Sequence, residues 1–216
     1  VKLKRVIEYL RETIFIPLVL GWDESGNLVW SIDASFATHL DMKSHTGAGL
    51  TLGQGSAISG STKQKQNAGS STIAELYGVH DYMPKLKWVS LFFIEQVKGI
   101  PDDNTEITRA IKSIGQASTV LQDNTSTIQL EKNGRRSQGK QTRHVEIKYF
   151  YITEQIKEGH VQVLYCPTKQ IVADYFSKPL QGSLFQTHRN TIMGVTMQDL
   201  IKYKRIYTES KKATSG

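Results

Sequence analysis

The chain has 216 residues, 38% of them apolar, enough for one substantial α/β domain with an appendage. Its formal charge of +7 and pI near 9.4 favour a polyanionic partner such as nucleic acid, without fixing a function. A single cysteine, Cys166, excludes an internal disulfide, and no CxxC or HxxxH spacing suggests structural zinc. No run approaches the roughly 18 apolar residues of a membrane span, and no signal peptide opens the chain. A soluble protein of a reducing, intracellular compartment is expected, with no membrane partner.

Leu3, Val6, Ile7, Leu10 and Ile14 recur at helical spacing among Lys2, Lys4, Arg5, Glu8, Arg11 and Glu12, which predicts an amphipathic helix. That helix either packs on its own domain or belongs to a preceding one, since the chain opens on valine inside a helical pattern. Leu28 to Ser35, Gly47 to Gly55 and Ala57 to Thr62 read as three antiparallel strands divided by glycines. Ser70, Ser71 and Thr72 can cap a long helix running through Leu76, Val79, Met83, Leu86, Val89, Phe92, Phe93 and Val97, with a kink at Pro84. Gly99-Ile100-Pro101 end it. A short helix from Thr105 to Ile114 follows an acidic connection.

Val120 and Leu121 form a strand ending at Gln122-Asp123-Asn124, and Thr125 to Leu130 has a helical pattern. Asn133 to Gln141, rich in glycine and basic residues, reads as an exposed loop. A helix from Thr142 to Lys157, a strand from His160 to Cys166 and a final helix from Thr168 to Ser177, stopped by Pro179, complete the order βββ, α, β, α, β, α. Beyond Gly194 the sequence is basic, and Tyr207 to Gly216 reads as a disordered tail. The expected units are residues 1–20, a helix that could close a preceding region; 21–195, the main domain; and 196–216, a basic tail.

Four carboxylates sit at the edges of apolar elements: Asp33 in the first strand, Glu75 in the first turn of the long helix, Asp123 at the end of the fourth strand and Asp174 in the last helix. They lie far apart in the chain and matter only if the fold gathers them. A βββαβα sheet can do so, because its first and fourth strands are neighbours. Clustered carboxylates repel unless cations neutralise them, and all-oxygen sites select hard ions such as Mg²⁺ or Mn²⁺. Two such ions, about 4 Å apart, can clamp both oxygens of a phosphoryl displacement. Singly, each acid has an ordinary explanation: Glu75 gains from a helix dipole, and Asp123-Asn124 makes a turn.

Several ordered segments are recognisable together. Ser70-Ser71-Thr72-Ile73-Ala74-Glu75-Leu76, Asp123-Asn124-Thr125-Ser126-Thr127-Ile128, Thr142-Arg143-His144-Val145-Glu146-Ile147, and the stretch from Pro167-Thr168 to Ala173-Asp174-Tyr175-Phe176-Ser177-Lys178-Pro179-Leu180 stand at compatible spacing. From about Leu28 to Val195 the chain resembles the ribonuclease H region of copia-type LTR retrotransposon Pol polyproteins, and the opening helix resembles the end of the reverse transcriptase region before it. Two positions depart from that pattern: Ser35 stands where a second acid is common, and Ile73 where a glutamate is.

The resemblance implies an α/β ribonuclease H-like fold, with a five-stranded mixed sheet of three antiparallel strands followed by parallel ones, flanked by helices. It implies a nuclease cutting the RNA strand of RNA:DNA hybrids during reverse transcription, with two Mg²⁺ or Mn²⁺ ions. Asp33 would bridge both ions, Glu75 and Asp123 would bind one, and Asp174 the more labile second. Glu75 would also sense the ribose 2′-hydroxyl. The reverse transcriptase region is the implied covalent partner and a virus-like particle the implied location.

Lys63, Lys65, Asn124, Arg135, Arg136, Lys140, Arg143 and His144 are candidate contacts to the hybrid, although a solvated basic loop explains most of them equally. His144 could assist proton transfer or make a structural hydrogen bond. Trp30, Trp88, Tyr149, Tyr151 and Tyr165 are assigned to packing, and Cys166 to a buried apolar role. Two rivals remain: a catalytically degenerate module that binds nucleic acid or braces a polymerase, and a transposase or integrase core. The latter typically has glutamate as its last acid and lacks the Asp-Asn and Ala-Asp-x-Phe-Ser-Lys-Pro-Leu segments.

Overall fold

A computed structural model describes residues 2–23, 27–98, 118–133 and 143–214. The helix expected over residues 105–114 and most of the loop expected over 133–141 lie outside the described residues. In chain order the elements are α1 (Lys2–Thr13), β1 (Gly21–Trp22), β2 (Val29–Ser35), β3 (His45–Thr51), β4 (Gly53–Gln54), β5 (Ile58–Lys63), α2 (Ser71–Lys98), β6 (Ser118–Gln122), α3 (Thr125–Asn133), α4 (Arg143–Lys157), β7 (Val161–Tyr165), α5 (Asp174–Ser177), α6 (Gly182–Met193) and α7 (Met197–Thr214). The main sheet has the order β5-β3-β2-β6-β7. β5, β3 and β2 are antiparallel; β2, β6 and β7 are parallel. This is the five-stranded mixed sheet, flanked by helices, that the sequence led us to expect.

The two faces of β2 do different work. Trp30 and Ile32 point into the apolar core with Leu76, Val79, Met83 and Leu86 of α2. Each such fully buried side chain contributes about 2 kcal/mol. Ser31, Asp33 and Ser35 point the other way, as the period of two demands. α2 lies close on its face because Gly78 has no side chain: a Cβ there would touch Thr46 and Ile32. The helix starts where Ser70 Oγ accepts the Ile73 N–H at 3.3 Å, the cap expected from the serines. It runs unbroken through Pro84, which lies on an exposed side.

Three expectations are corrected. The final helix is not continuous from Thr168 to Ser177: a 3₁₀ turn (Thr168–Gln170) is followed by extended backbone at Ile171, and only Asp174–Ser177 is α-helical. Ile171 and Ala173 are drawn onto the sheet, and the Ala173 N–H donates to Ser31 Oγ at 3.0 Å instead of to a helical carbonyl. The basic tail is helical from Met197 to Thr214 rather than disordered beyond Tyr207. It opens on a capping box, in which Asp199 N–H donates to Thr196 Oγ1 at 3.2 Å and Asp199 Oδ2 accepts the Thr196 N–H at 2.9 Å. The strand expected from Gly47 to Gly55 starts at His45 and is divided after Thr51, with β4 pairing with β1 instead of the main sheet.

α6 was not foreseen; it ends on Gly194 in the left-handed conformation (φ 67°), with Gly194 and Val195 N–H bonded back to Thr191 and Asn190. α1 buries none of its residues, and Leu3, Val6, Leu10 and Ile14 are exposed. It rests on α6 through Tyr9, whose ring meets Phe185 edge-on at 5.8 Å. Trp30 is core as expected, whereas Trp88 and Tyr165 are exposed, Trp88 stacking on Phe92. Those two rings stand on the outer faces of α2 and β7, each more than half exposed. No described helix is long and apolar enough to cross a membrane.

Glu131, in the last turn of α3, is fully buried, and neither carboxyl oxygen has a hydrogen-bond partner among the described residues. Burial pushes its pKa from 4.5 up to about 8. A carboxyl raised on folding binds its proton more tightly in the folded state, so its contribution to stability falls as pH rises from 4.5 to about 8. Glu131→Gln should therefore be more stable than wild type at pH 7.5, by up to about 4 kcal/mol, with the difference vanishing towards pH 4.5. Parallel stability curves for the two proteins across that range, measured by denaturant unfolding, would contradict this.

Candidate metal and nuclease site

The register of β2 against β6 begins the site. Val29, Trp30 and Ser31 pair with Thr119, Val120 and Leu121, and continuing that parallel register two residues brings Asp123 beside Asp33. β6 then turns away into α3, whose first turn is capped by Asn124: its Oδ1 accepts the Thr127 N–H at 3.1 Å. The ladder ends at Ser31, so β2 continues past it uncovered on that side. There the Ala34 N–H donates to the Glu75 carboxylate. α2 is held at this height by Gln64, whose Nε2 donates to Thr46 Oγ1 at 2.9 Å and to the Ala74 carbonyl at 2.8 Å.

Asp33, Glu75 and Asp123 consequently present carboxylate oxygens within 4.8 Å of one another. Asp33 and Glu75 are buried and Asp123 is partly exposed, so the cluster opens on one side. Glu75 is held well above the ordinary carboxylate range, first by burial and then by the negative charge of Asp33, with Asp123 adding to it. The Ala34 hydrogen bond and Lys178 act in the opposite direction. Three carboxylates so close, one of them penalised by its neighbours' charge, form a donor set suited to a hard divalent cation. Asp33, Glu75 and Asp123 could hold such an ion.

Asp174 lies on the other side of Asp33, outside that group of three. Both Lys178 and Ser177 bind Asp33: Lys178 Nζ is 3.2 Å from Asp33 Oδ1 and 2.7 Å from Asp174 Oδ1, and the Ser177 hydroxyl donates to Asp33 Oδ2. Burial raises the Asp174 carboxyl to about 6, with Lys178 opposing and Asp33 reinforcing the shift. The segment carrying Asp174 fits against the sheet because β3 has glycine there. A Cβ on Gly47 would lie 2.4 Å from the Ala173 carbonyl and 2.8 Å from the Ser177 nitrogen. Ser35 Oγ fixes the far end, donating to the Ser177 carbonyl at 2.7 Å.

Ser177 and Lys178 entered the sequence reading only as letters of a motif. For Lys178 a signal was available: it stands four residues after Asp174, the spacing of a helical ion pair. For Ser177 there was none, because its contact with Asp33 exists only in three dimensions.

The candidate nucleic-acid contacts divide. Lys63 Nζ pairs with Asp41 at 2.8 Å, and Lys63 and Lys65 line a cavity of about 600 Å³ with His80, Lys85 and Lys148. Asn124 is occupied as a helix cap, through its oxygen. Arg135, Arg136 and Lys140 lie outside the described residues; Arg143 and His144 open α4, but their side chains do too. Cys166 is buried, and burial followed by the charge of Asp123 raises its thiol pKa, which disfavours the thiolate a nucleophile would need.

No family model matches the chain. Among solved structures it is similar to LC11-RNase H1, isolated from compost by a metagenomic approach, at 12% identity and a TM-score of 0.47, covering 70% of this chain and 92% of that one. It is also similar to the N-terminal RNase H domain of a Mycobacterium tuberculosis protein, solved as a fusion with maltose binding protein, at 12% identity and a TM-score of 0.42, covering 74% and 97%. These overall similarities are low, and the functional reading rests on the carboxylates.

Gly47→Ala should push the Ala173–Ser177 segment off the sheet, costing about 1–3 kcal/mol by overpacking. The companion Gly69→Ala, where a Cβ meets nothing within 4 Å, should cost far less. Thermal unfolding of both variants checks this; equal losses would mean that the close approach at Gly47 is unimportant.

Proposed function

We propose that this chain is a divalent-metal-dependent ribonuclease H that hydrolyses the RNA strand of RNA:DNA hybrids. The convergence of Asp33, Glu75 and Asp123, whose carboxylate oxygens lie within 4.8 Å of one another, is the observation that supports it most directly. In this reading Asp33 is shared between two cation positions, Glu75 and Asp123 complete one, and Asp174 completes the other. Mg²⁺ or Mn²⁺ would offset the phosphate's charge and lower the pKa of a bound water. The protein's part is to hold the four carboxylates in fixed positions. Glu75 is the group we assign to sensing the ribose 2′-hydroxyl that distinguishes RNA from DNA. The net positive charge of the chain suits a polyanionic duplex.

The sequence resemblance extends the proposal to its setting: reverse transcription by a copia-type LTR retrotransposon, with the reverse transcriptase region of the same polyprotein as partner and a virus-like particle as location. A second reading draws on one observation. Lys178 already neutralises part of the charge on Asp33 and Asp174, as would suit a module that keeps the fold and binds nucleic acid without cutting it.

Cleavage of an end-labelled RNA:DNA hybrid in Mg²⁺ or Mn²⁺ separates the two. The nuclease should cut only the RNA strand, leave duplex DNA intact and lose at least about a hundredfold in rate in Asp123→Asn. Salt-sensitive hybrid binding without cleavage, in both metals and with the wild-type acids, would favour the binding module.

A further inference from the structure

Among the described residues, Lys178 is the one cation that ion pairs join to two of the four carboxylates. Its Nζ donates to Asp174 Oδ1 at 2.7 Å and to Asp33 Oδ1 at 3.2 Å. The Asp33 and Asp174 side chains are 1% and 5% exposed, whereas the lysine side chain is 35% exposed, so the ammonium approaches the buried pair from the solvent side. Its backbone is fixed as well. The Lys178 N–H donates to the Asp174 carbonyl at 2.9 Å, and Pro179 follows.

An ammonium and a divalent ion attract the same carboxylate oxygens. At the Asp33–Asp174 side, any ion must displace a cation that is already tethered four residues from its partner. A tethered group competes at an effective concentration of about millimolar or more, because its translational entropy is lost already in folding. The Asp33–Glu75–Asp123 side has no such competitor bound to Glu75 or Asp123 by a hydrogen bond or ion pair among the described residues. The two sides of Asp33 are therefore unequal, although their ligands are chemically alike.

We propose that Lys178 is a built-in competitor for the second divalent ion: it holds the Asp33–Asp174 side in the metal-free protein and sets how weakly, and after which other site, that side is loaded. The inference rests on the reading of the four acids as ion ligands and deepens it. An ion enters first among Asp33, Glu75 and Asp123. The Asp174 side is filled only when Lys178 swings towards solvent, which its partial exposure permits. Lys178 is thus a positioning residue: it acts on the reaction through the acids it holds.

Mn²⁺ titration calorimetry of the full chain, without nucleic acid, tests this in wild type, Lys178→Met and Lys178→Arg. Wild type should bind one ion and then a second at least about tenfold more weakly. Lys178→Met should tighten the second site by about tenfold and the first, which shares Asp33 with it, by clearly less; Lys178→Arg, which keeps the charge, should keep the gap. Melting in excess chelator supplies a second measurement if Lys178→Met folds poorly. That variant should melt below wild type without metal and gain more from added Mn²⁺, since the ion replaces the lost ammonium. A second site unchanged in Lys178→Met, or both sites altered equally, would overturn the proposal while leaving the acids as ion ligands. Failure of wild type to bind any ion would overturn that underlying reading too, so the two failures are distinguishable.

Discussion

The concentration of negative charge around Asp33 is the constraint to which the rest of this structure answers. Asp33, Glu75 and Asp174 are all buried, and Asp123, clustered with the first two, is partly exposed. Carboxylates at this separation repel one another, and burial removes the water that would otherwise screen them. The fold opposes the repulsion with donors aimed at the acids: the Ala34 N–H at Glu75, the Ser177 hydroxyl at Asp33, and the Lys178 ammonium at Asp33 and Asp174 together. The remaining imbalance appears in the raised pKa values of Glu75 and Asp174. Such a centre is stable only where the backbone is already held by something else, and the apolar face of the same sheet does the holding.

β2 joins the two. Its alternate residues put Trp30 and Ile32 into the core and Ser31, Asp33 and Ser35 on the polar face, so the strand that anchors the domain also carries the central acid. The serines on either side of Asp33 fasten the Ala173–Ser177 segment, one accepting from the Ala173 N–H and the other donating to the Ser177 carbonyl. Glycine at positions 47 and 49 of β3 lets that segment lie against the sheet, with Phe176 over both. A side chain at position 47 would lift Asp174 and Lys178 away from Asp33 together. On the opposite face Gly78 performs the same service for α2, and so for Glu75. Two close approaches, one per face, bring two acids to a third.

Local signals in the sequence located most of the elements. The cap at Ser70 and the stop at Pro179 are chemical features of single residues, and they mark boundaries wherever the chain goes. The capping box Thr196–Asp199 is equally local and starts the last helix, which runs on to Thr214 through part of the stretch expected to be disordered beyond Tyr207. The continuous helix expected from Thr168 to Ser177 shows the opposite error. Helical periodicity is satisfied there, yet Ser31, from a distant strand, takes the Ala173 N–H and breaks it.

By itself, then, the sequence determined most strands of the main sheet and the helices before Lys157 that lie among the described residues, the alternation that divides β2 into an apolar and a polar face, and which four acids stand at the edges of apolar elements. These follow from the spacing of side chains along one segment. Tertiary structure decided which acids meet: the β2–β6 register sets Asp123 beside Asp33, and α2's close packing brings Glu75 within reach, giving the cluster of three. It also decided that Asp174 approaches through Lys178 and Ser177 rather than joining that cluster. Charge repulsion, close approach at a glycine and a shared ammonium are properties of distances between remote residues, and no pattern along the chain encodes those distances until the sheet is assembled.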